Sequence, residues 1–135
     1  MDIIKSNHYL YELKQLGDER GGLVVLSKNE ELPFDVKRFF YVYNTKKNAI
    51  RGNHSNIRSS FLMISVKGSC EVVIDDSIEK YEYILDSPTK ALFVGKGLWK
   101  VMKNFSDDNV LLIFSDHNYD EHEYVKDYQE YIKKF

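Results

Sequence analysis

The segment Phe61-Leu-Met-Ile-Ser-Val-Lys67, followed by Gly68-Ser69 and then Cys70-Glu-Val-Val-Ile-Asp75, decides the fold class of this chain. Both runs are rich in apolar and β-branched residues, which favour strands. The Lys67-Gly68-Ser69 stretch between them is typical of a tight turn. The pattern predicts two strands, Phe61–Lys67 and Cys70–Asp75, joined as a hairpin. A further turn is predicted at Asp75-Asp76-Ser77.

Further strands are predicted on both sides of this pair, at the short intervals that are typical of a β-sandwich or a small barrel. They are Tyr9–Leu13, Leu23–Ser27, Arg38–Tyr43, Arg51–Asn56, Glu79–Leu85, Lys90–Val94, Trp99–Met102 and Val110–Ser115. From Asp120 onward the pattern changes, because aromatic residues recur at intervals of three and four: Tyr124, Tyr128, Tyr131 and Phe135. That period predicts an amphipathic C-terminal helix on the outside of the barrel.

Length and charge limit the classes of function. With 135 residues, 43% of them hydrophobic, we expect one domain over residues 1–135. A net charge of -2, spread over the chain, argues against nucleic acid or an anionic membrane as partner and favours a small molecule or a second copy. Cys70 is the single cysteine, and neither a targeting segment at Met1–Lys5 nor a membrane-spanning run is apparent. The chain is therefore expected in the cytoplasm.

A metal site is not expected. In metal-binding cupins, a β-barrel class, the first ligand strand carries two histidines two residues apart, because alternate strand positions face the same side. Here the strand reads His54-Ser55-Asn56, and the histidine position of the second ligand strand is Lys100. One good ligand is too few for a transition metal, and a protonated lysine repels the cation. We therefore predict no metal or other cofactor. The fold that we predict from the strand pattern is an all-β, cupin or jelly-roll barrel with a short C-terminal helix.

The residues around His54 are suited to acid/base chemistry. An inward-facing imidazole, the guanidinium of Arg51, the amide of Asn56 and the nearby Tyr41 could move a proton beside an anionic ligand. A lone histidine in a strand is more often structural, and that interpretation stays open from the residues alone.

Several segments together resemble one family. They are Asp18-Glu-Arg-Gly-Gly-Leu-Val24, Pro33-Phe-Asp-Val-Lys-Arg-Phe-Phe-Tyr41, Arg51-Gly-Asn-His54, Lys67-Gly-Ser-Cys-Glu-Val-Val-Ile-Asp-Asp76, Leu85-Asp-Ser-Pro88, Leu98-Trp99, Asn104-Phe-Ser-Asp107 and Ser115-Asp-His-Asn-Tyr-Asp-Glu-His-Glu-Tyr-Val125. In order and spacing they resemble the thymidine-diphosphate-4-keto-6-deoxyhexose 3,4-ketoisomerases, small metal-independent cupins of bacterial surface-sugar biosynthesis.

The resemblance implies a reaction, a partner and an assembly. A base removes the C3 proton of a dTDP-4-keto-6-deoxyhexose, an enediol forms, and a proton returns at C4 to leave a 3-keto sugar, without a redox cofactor. The product would lead to 3-amino-3,6-dideoxy sugars of surface polysaccharide after an aminotransferase. Members of the family form homodimers that exchange N-terminal strands.

Site residues follow position by position from the resemblance. We expect His54, Tyr41 and Asn56 to be catalytic and Arg51, Lys100 and Arg38 to bind substrate. Asn56 and Lys100 stand where the family has histidines, and an amide cannot relay a proton at neutral pH. Lys100 is a substitute donor on this interpretation, since a desolvated lysine can give up a proton.

Two alternatives remain open. The first is a non-catalytic cupin that binds a sugar nucleotide and has lost the proton relay, which Asn56 and Lys100 favour. The second is a nucleotide-sugar epimerase, which needs a histidine and a separate proton donor on opposite sides of the ring.

Overall fold

The computed structural model describes residues 7–134, which form two antiparallel five-stranded sheets. The first sheet contains, in spatial order, β1 (His8–Glu12), β7 (Lys90–Val94), β4 (Phe61–Lys67), β9 (Val110–Ser115) and β2 (Arg38–Tyr43). The second contains β10 (Tyr124–Val125), β3 (Arg51–Asn56), β8 (Trp99–Lys103), β5 (Cys70–Asp75) and β6 (Lys80–Leu85). The predicted all-β, cupin-like sandwich is confirmed.

The core lies between the two sheets, because alternate residues of each strand face inward. Its buried members are Phe61, Met63, Cys70, Val72, Ile74, Leu85, Leu92, Val94, Leu98, Met102, Leu111 and Ile113. This apolar layer is the main source of stability. It fixes the positions of β3 and β8, whose inner faces carry polar side chains.

The Lys67-Gly68-Ser69 turn does not form a hairpin, so that prediction is wrong. Both flanking strands have the predicted bounds, yet β4 pairs with β7 and β9 in the first sheet, whereas β5 pairs with β6 and β8 in the second. Gly68 adopts a positive φ of 69° at the point where the chain passes from one sheet to the other. The second predicted turn does close a hairpin, since Asp75 pairs with Lys80.

The predicted strand Leu23–Ser27 is also wrong. This segment forms one isolated bridge, Val24 with Gln15, and otherwise covers the outer face of the first sheet. Val24 and Leu26 pack there with Leu62 and Ile64. Its apolar residues are explained by this packing rather than by strand pairing.

The C-terminal helix is shorter than predicted. A 3-10 helix at Glu121–Glu123 and strand β10 precede α1, which spans Tyr128–Lys134. Tyr131 packs with Trp99 and Val125 on the outside of the second sheet, as the pattern indicated. Phe135 and the N-terminal segment Met1–Lys5 lie outside the described residues. Over residues 7–134, no helix is long and apolar enough to cross a membrane.

Candidate active site

A cavity of about 160 Å³ lies between the two sheets. Its walls come from β2, β4 and β9 of the first sheet and from β3, β8 and β10 of the second. The lining residues are Phe40, Val42, Arg51, Gly52, His54, Phe61, Met63, Lys100, Met102, Ile113 and Tyr124. Most of this surface is apolar, so the few polar groups act in surroundings with little water, where electrostatic interactions are strong.

A bulge in β3 brings Arg51 and His54 to the same wall. Strict alternation would place residues three apart on opposite faces. The register with β8 shifts between Gly52 and His54, and both Gly52 and Asn53 have positive φ values, 84° and 56°. A Cβ at residue 52 would lie 2.7 Å from the carbonyl oxygen of Lys100, so the bulge requires glycine there.

His54 is held as a neutral imidazole. Its Nδ1 lies 3.0 Å from the carbonyl oxygen of Gly52. A carbonyl only accepts, so Nδ1 carries the proton and Nε2 keeps its lone pair. Burial, together with the charge of Lys100, lowers the pKa of His54 to about 4. At neutral pH this residue is therefore a base and not an imidazolium.

Lys100 lies directly opposite His54 in the β3–β8 register and is only 3% exposed. Its Nζ donates a hydrogen bond of 2.8 Å to Asn56 Oδ1 and lies 4.5 Å from the centre of the Phe61 ring. Burial is the main reason that the pKa of Lys100 falls to about 7, and Arg38 lowers it further while Glu123 opposes the shift. Both protonation states are consequently populated near neutral pH.

Asn56 is 1% exposed, and only one of the two polar atoms of its side chain has a hydrogen-bond partner among the described residues. Its Oδ1 accepts from Lys100, but its Nδ2 is buried and has no hydrogen-bond partner within residues 7–134. A buried amide without a partner costs about 1–3 kcal/mol. Such an orphan donor is expected where a ligand supplies the missing acceptor.

Arg38 also has buried N–H groups without a hydrogen-bond partner among the described residues. Its guanidinium lies 5.4 Å, 5.9 Å and 5.6 Å from the ring centres of Phe40, Phe61 and Tyr119. Nε and Nη2 are buried and have no partner in the described part of the chain. Arg38 thus lies behind two residues of the cavity wall, Phe40 and Phe61, and its charge acts on Lys100 inside the cavity.

Tyr41 does not reach the cavity, which corrects its predicted place in the pocket. Phe40 and Val42 line the cavity, so the alternation of β2 turns Tyr41 to the outer face, where it is 58% exposed. Tyr124 supplies a tyrosine instead, with its ring centre 4.7 Å from that of His54. The prediction of a helix from Asp120 onward concealed this residue.

Glu123 is a second residue that the sequence did not reveal. It is buried and accepts hydrogen bonds from the backbone N–H groups of Arg58 and Ser59, at 3.0 Å and 2.9 Å, and from the Ser59 hydroxyl. Burial alone would raise the pKa of Glu123, but these hydrogen bonds lower it. The carboxylate thereby ties the segment before β10 to the end of β3 and holds Tyr124 at the cavity wall.

The donor set does not suit a metal ion. Across residues 7–134, no three His, Cys, Asp or Glu side chains come close enough together to hold one. Lysine and arginine are the charged groups at the cavity, and both are cations.

Comparisons with known proteins identify relatives of this chain. Residues 6–135 match the family described as FdtA: WxcM-like, C-terminal. The chain is 36% identical over 120 residues to the TDP-4-oxo-6-deoxy-alpha-D-glucose-3,4-oxoisomerase of Aneurinibacillus thermoaerophilus, covering 89% of this chain and 86% of that protein.

Two solved structures are similar over nearly the whole chain. WlaRA, a TDP-fucose-3,4-ketoisomerase from Campylobacter jejuni, is 39% identical with a TM-score of 0.90, covering 96% of both chains. A mutant of the 3,4-ketoisomerase QdtA from Thermoanaerobacterium thermosaccharolyticum, in complex with TDP-4-keto-6-deoxyglucose, is 28% identical with a TM-score of 0.92, covering 97% of this chain and 95% of that one. This chain belongs to the FdtA/WxcM-like family of dTDP-sugar 3,4-ketoisomerases.

Proposed function

We propose that His54 is the base with which this isomerase converts a dTDP-4-keto-6-deoxyhexose into its 3-keto isomer through an enediol. The observation that carries the proposal is the hydrogen bond from Nδ1 to the carbonyl of Gly52, which leaves Nε2 of a neutral ring as proton acceptor in a mostly apolar cavity. A base with a lone pair at neutral pH is what abstraction of the C3 proton requires. The same nitrogen, once protonated, can return the proton at C4.

The cations in and beside the cavity are proposed to bind the substrate. Arg38 has buried N–H groups without a partner among the described residues, and it can donate them to a diphosphate or to a developing enolate oxygen. Arg51 is exposed at the wall and is placed to meet the nucleotide outside. At about 160 Å³ the cavity is smaller than most small-molecule sites. It would take the hexose, with the nucleotide at its mouth.

The proposed place of this reaction is before a transamination. A ketone at C3 is the group that an aminotransferase needs to introduce a 3-amino substituent, as in 3-amino-3,6-dideoxy sugars. A cytoplasmic location belongs to the same proposal, and the buried free thiol of Cys70 is compatible with it.

A homodimer is also proposed. Phe39, Tyr41 and Tyr43 expose large aromatic side chains on the outer face of β2, an edge strand. Strand β1 pairs with β7 within the chain, and the same pairing with β7 of a second copy would give the exchange of N-terminal strands. Light scattering after gel filtration should give twice the mass of one chain. Tyr41→Lys should reduce the fraction of protein that elutes as a dimer. A monomer at micromolar concentration would refute the dimer.

The activity is tested by nuclear magnetic resonance in deuterated buffer with dTDP-4-keto-6-deoxyglucose. Wild-type protein should incorporate deuterium at C3 of the recovered substrate and form a 3-keto product. His54→Asn should reduce both rates by a factor of about 10²–10⁴, the usual contribution of a general base. The matched control is His122→Asn, because His122 is exposed and outside the cavity.

Each outcome decides between the alternatives. Binding of dTDP without exchange or turnover would support the non-catalytic cupin and refute the isomerase proposal. A product with inverted configuration at C3 or C5 and an unmoved ketone would support an epimerase. Equal activity of the two histidine variants would remove His54 as the base.

A further inference from the structure

We propose that Lys100 is a second catalytic residue, which moves a proton between the O4 and O3 oxygens of the hexose while His54 moves a proton between C3 and C4. This inference rests on the proposed role of His54 and deepens it. The chemistry of His54 alone does not explain why a lysine and an asparagine are buried beside it. The proposal gives both residues a defined part in the same reaction.

The chemistry demands two separate proton movements. When His54 takes the C3 proton, the electron pair of the C–H bond forms the C3–C4 double bond and the C4 carbonyl becomes an enediolate oxygen. Protonated Lys100 gives a proton to that oxygen and becomes neutral. Neutral Lys100 then takes the proton of the O3 hydroxyl, the C3 carbonyl forms, and His54 returns its proton to C4. Both residues end in their starting states, and no other reactant is consumed.

The geometry places both groups at one spot. Lys100 and His54 are register partners on neighbouring antiparallel strands, so their side chains leave the sheet on the same face about 4.5–5.5 Å apart at Cβ. Both line the cavity. O3 and O4 are on adjacent carbons of the ring, so a single ammonium beside His54 can reach either oxygen.

The orientation of the ammonium is fixed. Asn56 Oδ1 accepts one of its protons, and the ring of Phe61 lies against it. An ammonium has three protons, so this anchoring leaves others for a ligand. Asn56 itself cannot transfer a proton, and we assign it as the positioning residue of Lys100.

The charges around Lys100 suit a lysine that alternates between its protonated and neutral forms. The charged and titratable groups that face it are His54 and Arg51 on β3, Arg38 on β2, Tyr124 on β10, and Glu123 beside β10. Burial lowers its pKa to about 7, so the cost of giving up or taking a proton is small at neutral pH. His54, with its pKa of about 4, stays a base under the same conditions.

The test compares two rates in the same sample: C3 deuterium incorporation into recovered substrate, and formation of the 3-keto product. The variants are Lys100→Gln, which keeps a polar group beside Asn56, and Lys100→Arg, which keeps the charge but cannot release a proton at neutral pH. In both variants, the ratio of product formation to C3 exchange should fall by about tenfold or more. The enediolate still forms, but no group moves the proton from O3 to O4. Lys103→Gln, on the same strand but outside the cavity, is the matched control.

Asn56→Asp tests the positioning role. A carboxylate beside Nζ favours the ammonium form, so the pH–rate profile for product formation should move to higher pH while KM changes little. An unchanged profile would show that the protonation state of Lys100 does not control the rate, which would overturn the inference.

The outcomes separate this inference from the isomerase assignment. A ratio that stays within about threefold of wild type in either Lys100 variant overturns the inference, whatever the absolute rates. If wild-type protein shows neither exchange nor product, the isomerase proposal fails instead. Loss of activity in His54→Asn together with an unchanged ratio in the Lys100 variants would leave His54 as base and refute Lys100 alone.

Discussion

In both halves of the second sheet, alternate residues face the core, but one half carries apolar side chains there and the other carries polar ones. One row of paired residues crosses it: His54 on β3, Lys100 on β8, Ile74 on β5 and Tyr81 on β6. On the β5 side, Val72 and Ile74 are completely buried in the apolar core. On the β3 side, the inward residues are His54 and Asn56. Polar groups thus occupy positions that would otherwise hold core residues, and the other half of the sheet supplies apolar burial.

The polar half carries the cost of this arrangement. Lys100 is almost completely buried, and Nδ2 of Asn56 has no partner among the described residues. Buried polar groups without partners destabilise a fold, and functional sites commonly concentrate them. Truncating a core residue of the apolar half should therefore lower stability and leave kcat unchanged, whereas replacing the buried lysine should raise stability and lower activity.

The largest effect on stability is expected in the apolar half. Leu85→Ala should lower the free energy of unfolding by about 2–5 kcal/mol, because Leu85 is completely buried and leaves a void. The value of kcat should be unchanged at a temperature where the variant is folded. Urea unfolding and product formation measure the two quantities. Leu85→Met, of similar volume, is the control, and a fall in kcat in proportion to stability would show that the halves are not independent.

A smaller effect is expected at the clamp that holds β10. Glu123→Gln places an amide where the carboxylate accepts from Ser59 and Arg58, so the free energy of unfolding should fall by about 1–3 kcal/mol. KM should rise as well, because Tyr124 loses its support at the cavity wall. The comparison is with Glu121→Gln, two residues earlier and exposed. Equal behaviour of both variants would refute the clamp.

The smallest effect, and one of opposite sign, is expected at Lys100. Replacing a buried charge by an apolar side chain often stabilises a protein, and Lys100→Met should raise the free energy of unfolding by about 1 kcal/mol at pH 7, with the loss of the Asn56 hydrogen bond included. The pKa of Lys100 is about 7 in the folded protein and 10.5 normally.

The sign of the pH dependence follows from these values. Between about pH 7 and 10.5 the unfolded chain binds more protons at this residue, so wild-type stability rises with pH in that window. The advantage of Lys100→Met should therefore shrink as pH is raised towards 10. Urea unfolding at pH 7 and pH 10 measures it, with Lys103→Met as control. A constant difference would contradict the lowered pKa.

Strand positions could be predicted from the sequence because they depend on local patterns. Arg38–Tyr43, Arg51–Asn56, Phe61–Lys67 and Cys70–Asp75 are observed with the predicted bounds. Which strands pair is not local. The Lys67-Gly68-Ser69 turn has the composition of a hairpin, but the partners of the two strands lie far away along the chain. Leu23–Ser27 is apolar because it covers a sheet, and composition does not distinguish that from a strand.

The site shows the same division. Alternation along one strand was enough to expect His54 and Asn56 on one face; His54 lines the cavity, and Asn56 accepts a hydrogen bond from Lys100, which also lines it. The bulge that adds Arg51 depends on two residues with positive φ, which sequence pattern does not reveal. Tyr41 was expected in the pocket from the resemblance, and the face of its strand excludes it. Glu123 escaped notice because its partner Ser59 is 64 residues away.

The passage of the chain between sheets at Gly68 also affects how the protein reaches its structure. Among the described strands, β5 and β6 are the only consecutive pair joined by hydrogen bonds. Every other pairing must bring together segments that are distant along the chain, so the search is dominated by loop closure. Such topologies fold in about milliseconds to seconds, which stopped-flow refolding would measure. Until β7 and β9 pair with it, the largely apolar strand β4 stays exposed, which makes the unfolded chain vulnerable to aggregation at high concentration.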